Sequence, residues 1–171
     1  VAANYALGSN IDAASTSSAF GPSGFTPILG FSGTFDGLGH TISGLFMDKG
    51  ATGSIGLIGS TGVGSVIRNV GLVGGSVTGG ASTGPLVGSN GSGTVYNSYA
   101  TGINVSGAAG TGGLVGSNTT GTISNSYATG DVSNGVAAGA GGLVGSNTEG
   151  TINNSYAIGD ITGGASSGGL L

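Results

Sequence analysis

Asp36, His40, Asp48 and Lys49 form the one charged cluster in a chain of which only 5% is charged, and Arg68 follows further along. Two carboxylates beside a base could act as acid and base on a glycosidic bond. Simpler roles compete. Asp36 precedes Gly37 and suits a tight turn. His40 precedes a strand-like run and could bond a turn or face solvent, and Asp48-Lys49-Gly50 reads as a solvated loop. The turn and loop roles carry the weight, so no catalytic residue is expected. Metal chemistry is weaker still. The six acidic residues are scattered, whereas calcium needs clustered oxygens. Asp131 and Asp160 occupy equivalent positions and could stack, but they read as a solvated corner. A lone His40 and no cysteine argue against zinc. No metal and no cofactor are expected.

Composition narrows the partners. Lys49 and Arg68 are the only basic residues and the net charge is -4. A nucleic-acid backbone or an anionic membrane surface needs several cations, so neither is an expected partner. No apolar run reaches the ~18 residues of a membrane span, so no membrane insertion is expected. Glycine supplies 42 of 171 residues with only 3 prolines, and mean hydropathy is +0.34. Apolar residues recur at regular places, which argues against disorder.

The elements that would position these groups are repeats. Gly113-Leu114-Val115-Gly116-Ser117-Asn118 returns as Gly142-Leu143-Val144-Gly145-Ser146-Asn147, and Pro85-Leu86-Val87-Gly88-Ser89-Asn90 is a third copy. Each copy precedes an Asn-Ser-Tyr-Ala phrase, at Asn97, Asn125 and Asn154. Leu86 to Leu114 is 28 residues and Leu114 to Leu143 is 29. A fixed period of this size marks a solenoid. Helix formers such as Glu, Lys and Gln are nearly absent, so strands are expected.

In the repeat starting at Gly113 the strands fall at Leu114-Val115, Thr122 to Ala128 and Asp131 to Val132. Simple alternation puts Ile123, Asn125 and Tyr127 on a buried face, and Thr122, Ser124 and Ser126 on a hydroxylated outer face. Stacked coils then form ladders of like residues: Leu57, Leu86, Leu114 and Leu143, continued by Leu170; Val95, Ile123 and Ile152; Asn97, Asn125 and Asn154; and Tyr99, Tyr127 and Tyr156. The tyrosines would be a sugar-stacking platform only if they faced outward. The hydroxyl rows would suit ice binding only if they formed a flat Thr-x-Thr array. Four Asn-x-Ser/Thr patterns, at Asn90, Asn104, Asn118 and Asn153, fit N-glycosylation but are expected by chance in such a chain. Residues 1–50 read as irregular N-terminal coils, with Ala13 to Ala19 as a loop or exposed edge. Residues 51–171 read as regular repeats, the last of them incomplete at Gly168-Gly169-Leu170-Leu171.

The Gly-Leu-Val-Gly phrases at Gly113 and Gly142, and Gly56-Leu57-Ile58-Gly59, resemble the GLUG-motif repeats of large bacterial surface and secreted proteins. Pro85 departs from the pattern at its first position. The segment Gly33-Thr34-Phe35-Asp36-Gly37-Leu38-Gly39-His40-Thr41-Ile42 is similar to one that precedes such repeats in filamentous-haemagglutinin-like exoproteins. The resemblance implies an extracellular or bacterial cell-surface location and a right-handed parallel β-helix. Together with the repeats it sets the expected fold: an all-β, single-domain β-solenoid, with three short strands per coil and about six or seven coils. The expected role is a non-catalytic stalk, matrix or head-to-tail filament. Its partners would be like molecules or the remaining repeats of a longer chain, with host or matrix glycans as a further class. Glycan-binding, glycan-cleaving and ice-binding solenoids are the alternatives.

Overall fold

β-Branched residues at fixed spacing, separated by Gly, Asn and Ser, give short strands that pair only with their counterparts one repeat away. The computed structural model describes residues 1–135 and 137–170, and every pairing between its named strands is parallel. The chain is a β-solenoid with three faces. The first face stacks Tyr5–Ala6, Thr34–Asp36, Val66–Arg68, Thr94–Tyr96, Thr122–Ser124 and Thr151–Asn153 in chain order. The second begins with Ile11–Asp12 on Thr41–Asp48, then Gly71–Thr78. From there each long strand becomes two: Tyr99–Thr101 with Asn104–Ser106, Tyr127–Ala128 with Val132–Ser133, and Tyr156–Ala157 with Ile161–Thr162. The third face stacks Ile58–Ser60, Val87–Asn90, Val115–Asn118 and Val144–Asn147, with the short pair Thr111–Gly112 and Ala140–Gly141 leading into it.

Six strands on the first face enclose about five turns, fewer than the six or seven that length and period suggested. The coil from Asp36 to its partner Arg68 takes 32 residues, more than the repeat. The ladder crosses residue 50 without interruption, since Thr41–Asp48 pairs in register with Gly71–Thr78. The Ala13 to Ala19 stretch is not wholly a loop: Thr16–Ala19 is a short helix. Its Thr16 hydroxyl donates to the Ala13 carbonyl at 2.6 Å and accepts the Phe46 N–H at 3.0 Å, pinning the turn to the next coil.

Leu57, Leu86, Leu114 and Leu143 are buried in one inward column, beside Ile58, Val87, Val115 and Val144. Leu170, expected to continue that column, is 41% exposed. Val95, Ile123 and Ile152 are register partners, and the first two are fully buried. Removing these side chains from water is the main force holding the coils together.

The tyrosines correct the alternation. Thr122 to Ala128 is not one strand. It breaks at Asn125, whose φ is +48°, and the two halves lie on different faces. A left-handed residue turns the chain and resets which side faces in, so Ser126 and Ala128 are buried while Tyr127 points outward and is partly exposed. Asn69, Asn97 and Asn154 hold the same corner, with φ of +53°, +49° and +46°. Asparagine tolerates that conformation better than most residues. The inward serines satisfy the corner. Ser126 Oγ donates to the Ser124 carbonyl at 2.8 Å and accepts the Ser98 N–H at 3.3 Å, and Ser155 Oγ accepts the Ser126 N–H at 3.2 Å.

Candidate functional site

The charged residues grouped by sequence are not one constellation. Asp36 ends a first-face strand and is 8% exposed. Its Oδ2 accepts Arg68 Nε at 2.7 Å, and its Oδ1 accepts Asn69 Nδ2 and the Leu38 N–H, both at 2.9 Å. The Asn69 amide first, then the Leu38 N–H and the Arg68 guanidinium, hold the Asp36 carboxyl below its ordinary value against the opposing effect of burial. Arg68 is the register partner of Asp36 in the adjacent coil, and it also donates to the Tyr96 hydroxyl at 2.8 Å. His40 Nδ1 instead lies 3.2 Å from Asn10 Oδ1. Lys49 Nζ donates to the Gly24 carbonyl at 3.1 Å, and Asp48 Oδ1 accepts the Gly50 N–H at 3.3 Å. Each of these groups closes its own turn or coil contact. Among the described residues no three His, Cys, Asp or Glu side chains gather as a metal site.

The outer side of the second face carries the most distinctive surface. Tyr99, Tyr127 and Tyr156 stack with ring centroids 5.0 Å apart and planes within 6° and 1° of parallel. The Tyr99 ring leans over Gly71, where a Cβ would sit 2.2 Å from its Cζ. Burial first, then its neighbours Tyr99 and Tyr156, push the Tyr127 phenol up. Both faces of Tyr127 are covered by its neighbours, so it offers only its ring edge and hydroxyl to solvent. That is poor geometry for a sugar laid flat on its ring, whereas Tyr156 has one ring neighbour and is 50% exposed.

Further along the same face lies an open groove of about 410 Å³, lined by Asn104, Asp131 and Asp160 in one column and by Ser106, Ser133 and Thr162 in the next. The Asp160 N–H donates to Asp131 Oδ1 at 3.0 Å, so the stacked carboxylates are joined through backbone. The first face presents a Thr94, Thr122, Thr151 column beside Tyr96, Ser124 and Asn153. The second column holds no threonine, so the face lacks the flat Thr-x-Thr array that ice binding would use.

Sequence reasoning missed the inner asparagines. Asn90 and Asn118 are fully buried and Asn147 partly so. Asn90 Nδ2 donates to Asn118 Oδ1, and Asn118 Nδ2 to Asn147 Oδ1, both at 2.8 Å. The Nδ2 atoms of Asn90, Asn118 and Asn147 donate to the carbonyls of Gly93, Gly121 and Gly150 at 3.1, 3.1 and 2.9 Å. A Cβ at Gly121 would meet Asn90 Nδ2 at 2.1 Å, which explains that glycine. The signal was the Ser-Asn-x-x-Gly spacing, present three times. Buried and bonded, Asn90 and Asn118 are not glycosylation acceptors in the fold, whereas Asn104 and Asn153 are exposed. Asn97, Asn125 and Asn154, expected as an amide ladder, stand exposed at the outer corner; there Asn97 Nδ2 donates to Asn69 Oδ1 at 2.7 Å.

Residues 107–133 and 137–162 each match the family described as the GLUG motif. Over 100 residues, 57% of this chain, the sequence is 49% identical to halomucin of Haloquadratum walsbyi. That stretch is 1% of the length of halomucin. No solved structure matches the chain. Among the described residues no helix is long and apolar enough to cross a membrane.

Proposed function

We propose that this chain, a β-solenoid built on GLUG repeats, is a non-catalytic structural and adhesive element of a secreted or cell-surface protein. The observation that carries this reading is the register. Leucine stacks on leucine, tyrosine on tyrosine and buried asparagine on buried asparagine from coil to coil. Chemistry repeated in this way builds length and stiffness, and each added coil contributes the same interface. Asp36, the most constrained carboxylate, spends its oxygens on Arg68, Asn69 and Leu38, which suits a joint between coils. The coils would continue into further repeats or meet like molecules head to tail, in a stalk, matrix or filament. The test is electron microscopy of the protein as isolated from its source, with averaging along any fibre. Slender particles lengthening by about 4.8 Å per coil are expected. Round particles, or release of sugars from a glycan panel, would overturn the proposal.

A second reading rests on the Asp131–Asp160 groove. Its carboxylates, amide and hydroxyls recur at the coil spacing, and such groups bond sugar hydroxyls. A glycan array with the unmodified chain and with Asp131→Ala/Asp160→Ala tests it. Retention that the double variant loses supports a glycan partner, and no retention sinks it.

A further inference from the structure

Three dipeptides in this chain have the sequence that favours attack of a backbone nitrogen on the preceding side chain: Asp36-Gly37, Asn90-Gly91 and Asn134-Gly135. Glycine after Asp or Asn removes the Cβ that hinders ring closure. The fold treats the three differently.

At Asp36-Gly37 the carboxylate is bonded to Arg68, Asn69 and Leu38, and the attacking Gly37 N–H is itself donated to the Arg68 carbonyl at 2.8 Å. At Asn90-Gly91 the amide is tied by Thr61, Gly93 and Asn118, and the Gly91 N–H is donated to Thr61 Oγ1 at 3.1 Å. At Asn134-Gly135 neither restraint is present. Asn134 is 3% exposed, yet neither its Oδ1 nor its Nδ2 has a hydrogen-bond partner among the described residues. The Gly135 N–H has none among them either. Gly135 has φ of +61° and open space around it, in a turn closed by the Ala137 N–H on the Asn134 carbonyl at 3.1 Å.

The register explains how Asn134 came to be unpaired. Gly79 and Gly107 hold this position in the preceding coils and Gly163 in the following one. A Cβ at Gly107 would meet Thr111 Oγ1 at 2.4 Å, so a threonine hydroxyl fills that corner and donates to the Ala108 carbonyl. In the Asn134 coil the threonine position is Ala140. The asparagine side chain occupies the space but not the hydrogen bond.

We infer that Asn134-Gly135 is a self-modification site, at which the folded chain deamidates while Asn90-Gly91 and Asp36-Gly37 stay intact. The Gly135 nitrogen attacks Asn134 Cγ. The N–Cγ bond forms, the Cγ–Nδ2 bond breaks, and ammonia leaves carrying the Gly135 proton. Water then opens the cyclic imide at either carbonyl, giving aspartate or isoaspartate. No enzyme, oxidant or metal enters the balance. The product is an unpaired carboxylate at a buried corner, three residues after Asp131 and just past Val132–Ser133, the strand paired with Ile161–Thr162. Isoaspartate also adds a backbone atom where Val132–Ser133 must keep register with Ile161–Thr162.

The test is peptide mapping of the whole chain aged in mildly alkaline buffer, with the urea-unfolded chain aged in parallel. Unfolded, Asn134 and Asn90 should convert at similar rates. Folded, Asn134 should convert roughly tenfold or more faster than Asn90, the factor set by the hydrogen bonds that hold Asn90. Aged protein should melt lower than fresh, and Asn134→Gly, which restores the residue of the neighbouring coils, should abolish that drift. Equal rates in the folded chain, or an unmodified Asn134, would overturn the inference.

Discussion

Asn90, Asn118 and Asn147 point into the solenoid, while Asn69, Asn97, Asn125 and Asn154 stand at its outer corner. One residue type does two jobs for two reasons. Inside, the amide matters: each side chain carries a donor and an acceptor, so a column of them satisfies itself where no water can. Outside, the backbone matters: the corner needs positive φ, which asparagine accepts, and the amide is incidental. The inner column should therefore fail when its chemistry changes and the outer one when its backbone freedom changes.

The sharpest test exchanges one heavy atom. Asn118→Asp replaces a donor with an oxygen facing the Gly121 carbonyl and Asn147 Oδ1. An unpaired buried charge of this kind should cost about 3–5 kcal/mol, read as a lower urea midpoint. Asn125→Asp at the exposed corner should stay within about 0.5 kcal/mol. Equal losses would show that the two columns do not differ as described.

The outer column gains chemistry only where it ends. Asn97 bonds Asn69, and Asn69 bonds Asp36. Asp36→Asn should cost about 2 kcal/mol through its lost charge-assisted hydrogen bonds. The ion pair adds little to that, because the Arg68 side chain is 38% exposed. Because the folded carboxyl lies below its ordinary value of 3.8, its contribution is complete above that value. It is lost as pH falls through the lower, folded value. The parent's advantage over Asp36→Asn in acid melts should shrink as pH falls below about 3.8 and vanish only below the lower, folded value. Parallel curves would remove Asp36 from the joint.

Spacing made the ladders legible in the sequence, because a repeat of 28 or 29 residues leaves few ways to stack Leu86, Leu114 and Leu143. The facing of Tyr127 was not legible. Alternation assumes an unbroken strand, and one left-handed residue at Asn125 inverts it. The Asn90 column was hidden because the expected strand ended at Leu114-Val115 and its copies, short of the asparagine, whereas the strand runs on to Asn118. Local exchanges between coils were hidden too, since they show only in register. Thr61 and Ser65 replace the Asn90 and Gly93 positions, and Asn134 and Ala140 replace those of Gly107 and Thr111. Each exchange fills the space and leaves a polar atom unpaired, at Ser65 Oγ and at the Asn134 amide.

At the corner itself, Asn125→Ala should cost about 1–2 kcal/mol, because alanine resists positive φ. Asn125→Gly should cost almost nothing, and both are read from urea midpoints. The reverse order would mean that the Asn125 amide, not its backbone, holds the corner.

The smallest expected effect lies beside that corner, in the tyrosine stack. Tyr127 is covered on both sides by rings 5.0 Å away, and such aromatic pairs add about 0.5–1.5 kcal/mol. Tyr127→Ala should therefore lose about 1 kcal/mol, while Tyr127→Phe keeps the rings and should lose less. The phenol separates the two variants further. Its folded value is raised above the ordinary 10.0 by burial and by its neighbours, so the neutral ring is the form the fold prefers. That contribution is complete below 10.0 and disappears as pH rises through the raised value. Tyr127→Phe should consequently unfold later than the parent in strong alkali while matching it near neutrality. If Tyr127→Phe and the parent lose stability together as pH rises, the stack acts as packing alone, and the outer face contributes by shape rather than by the state of its hydroxyls.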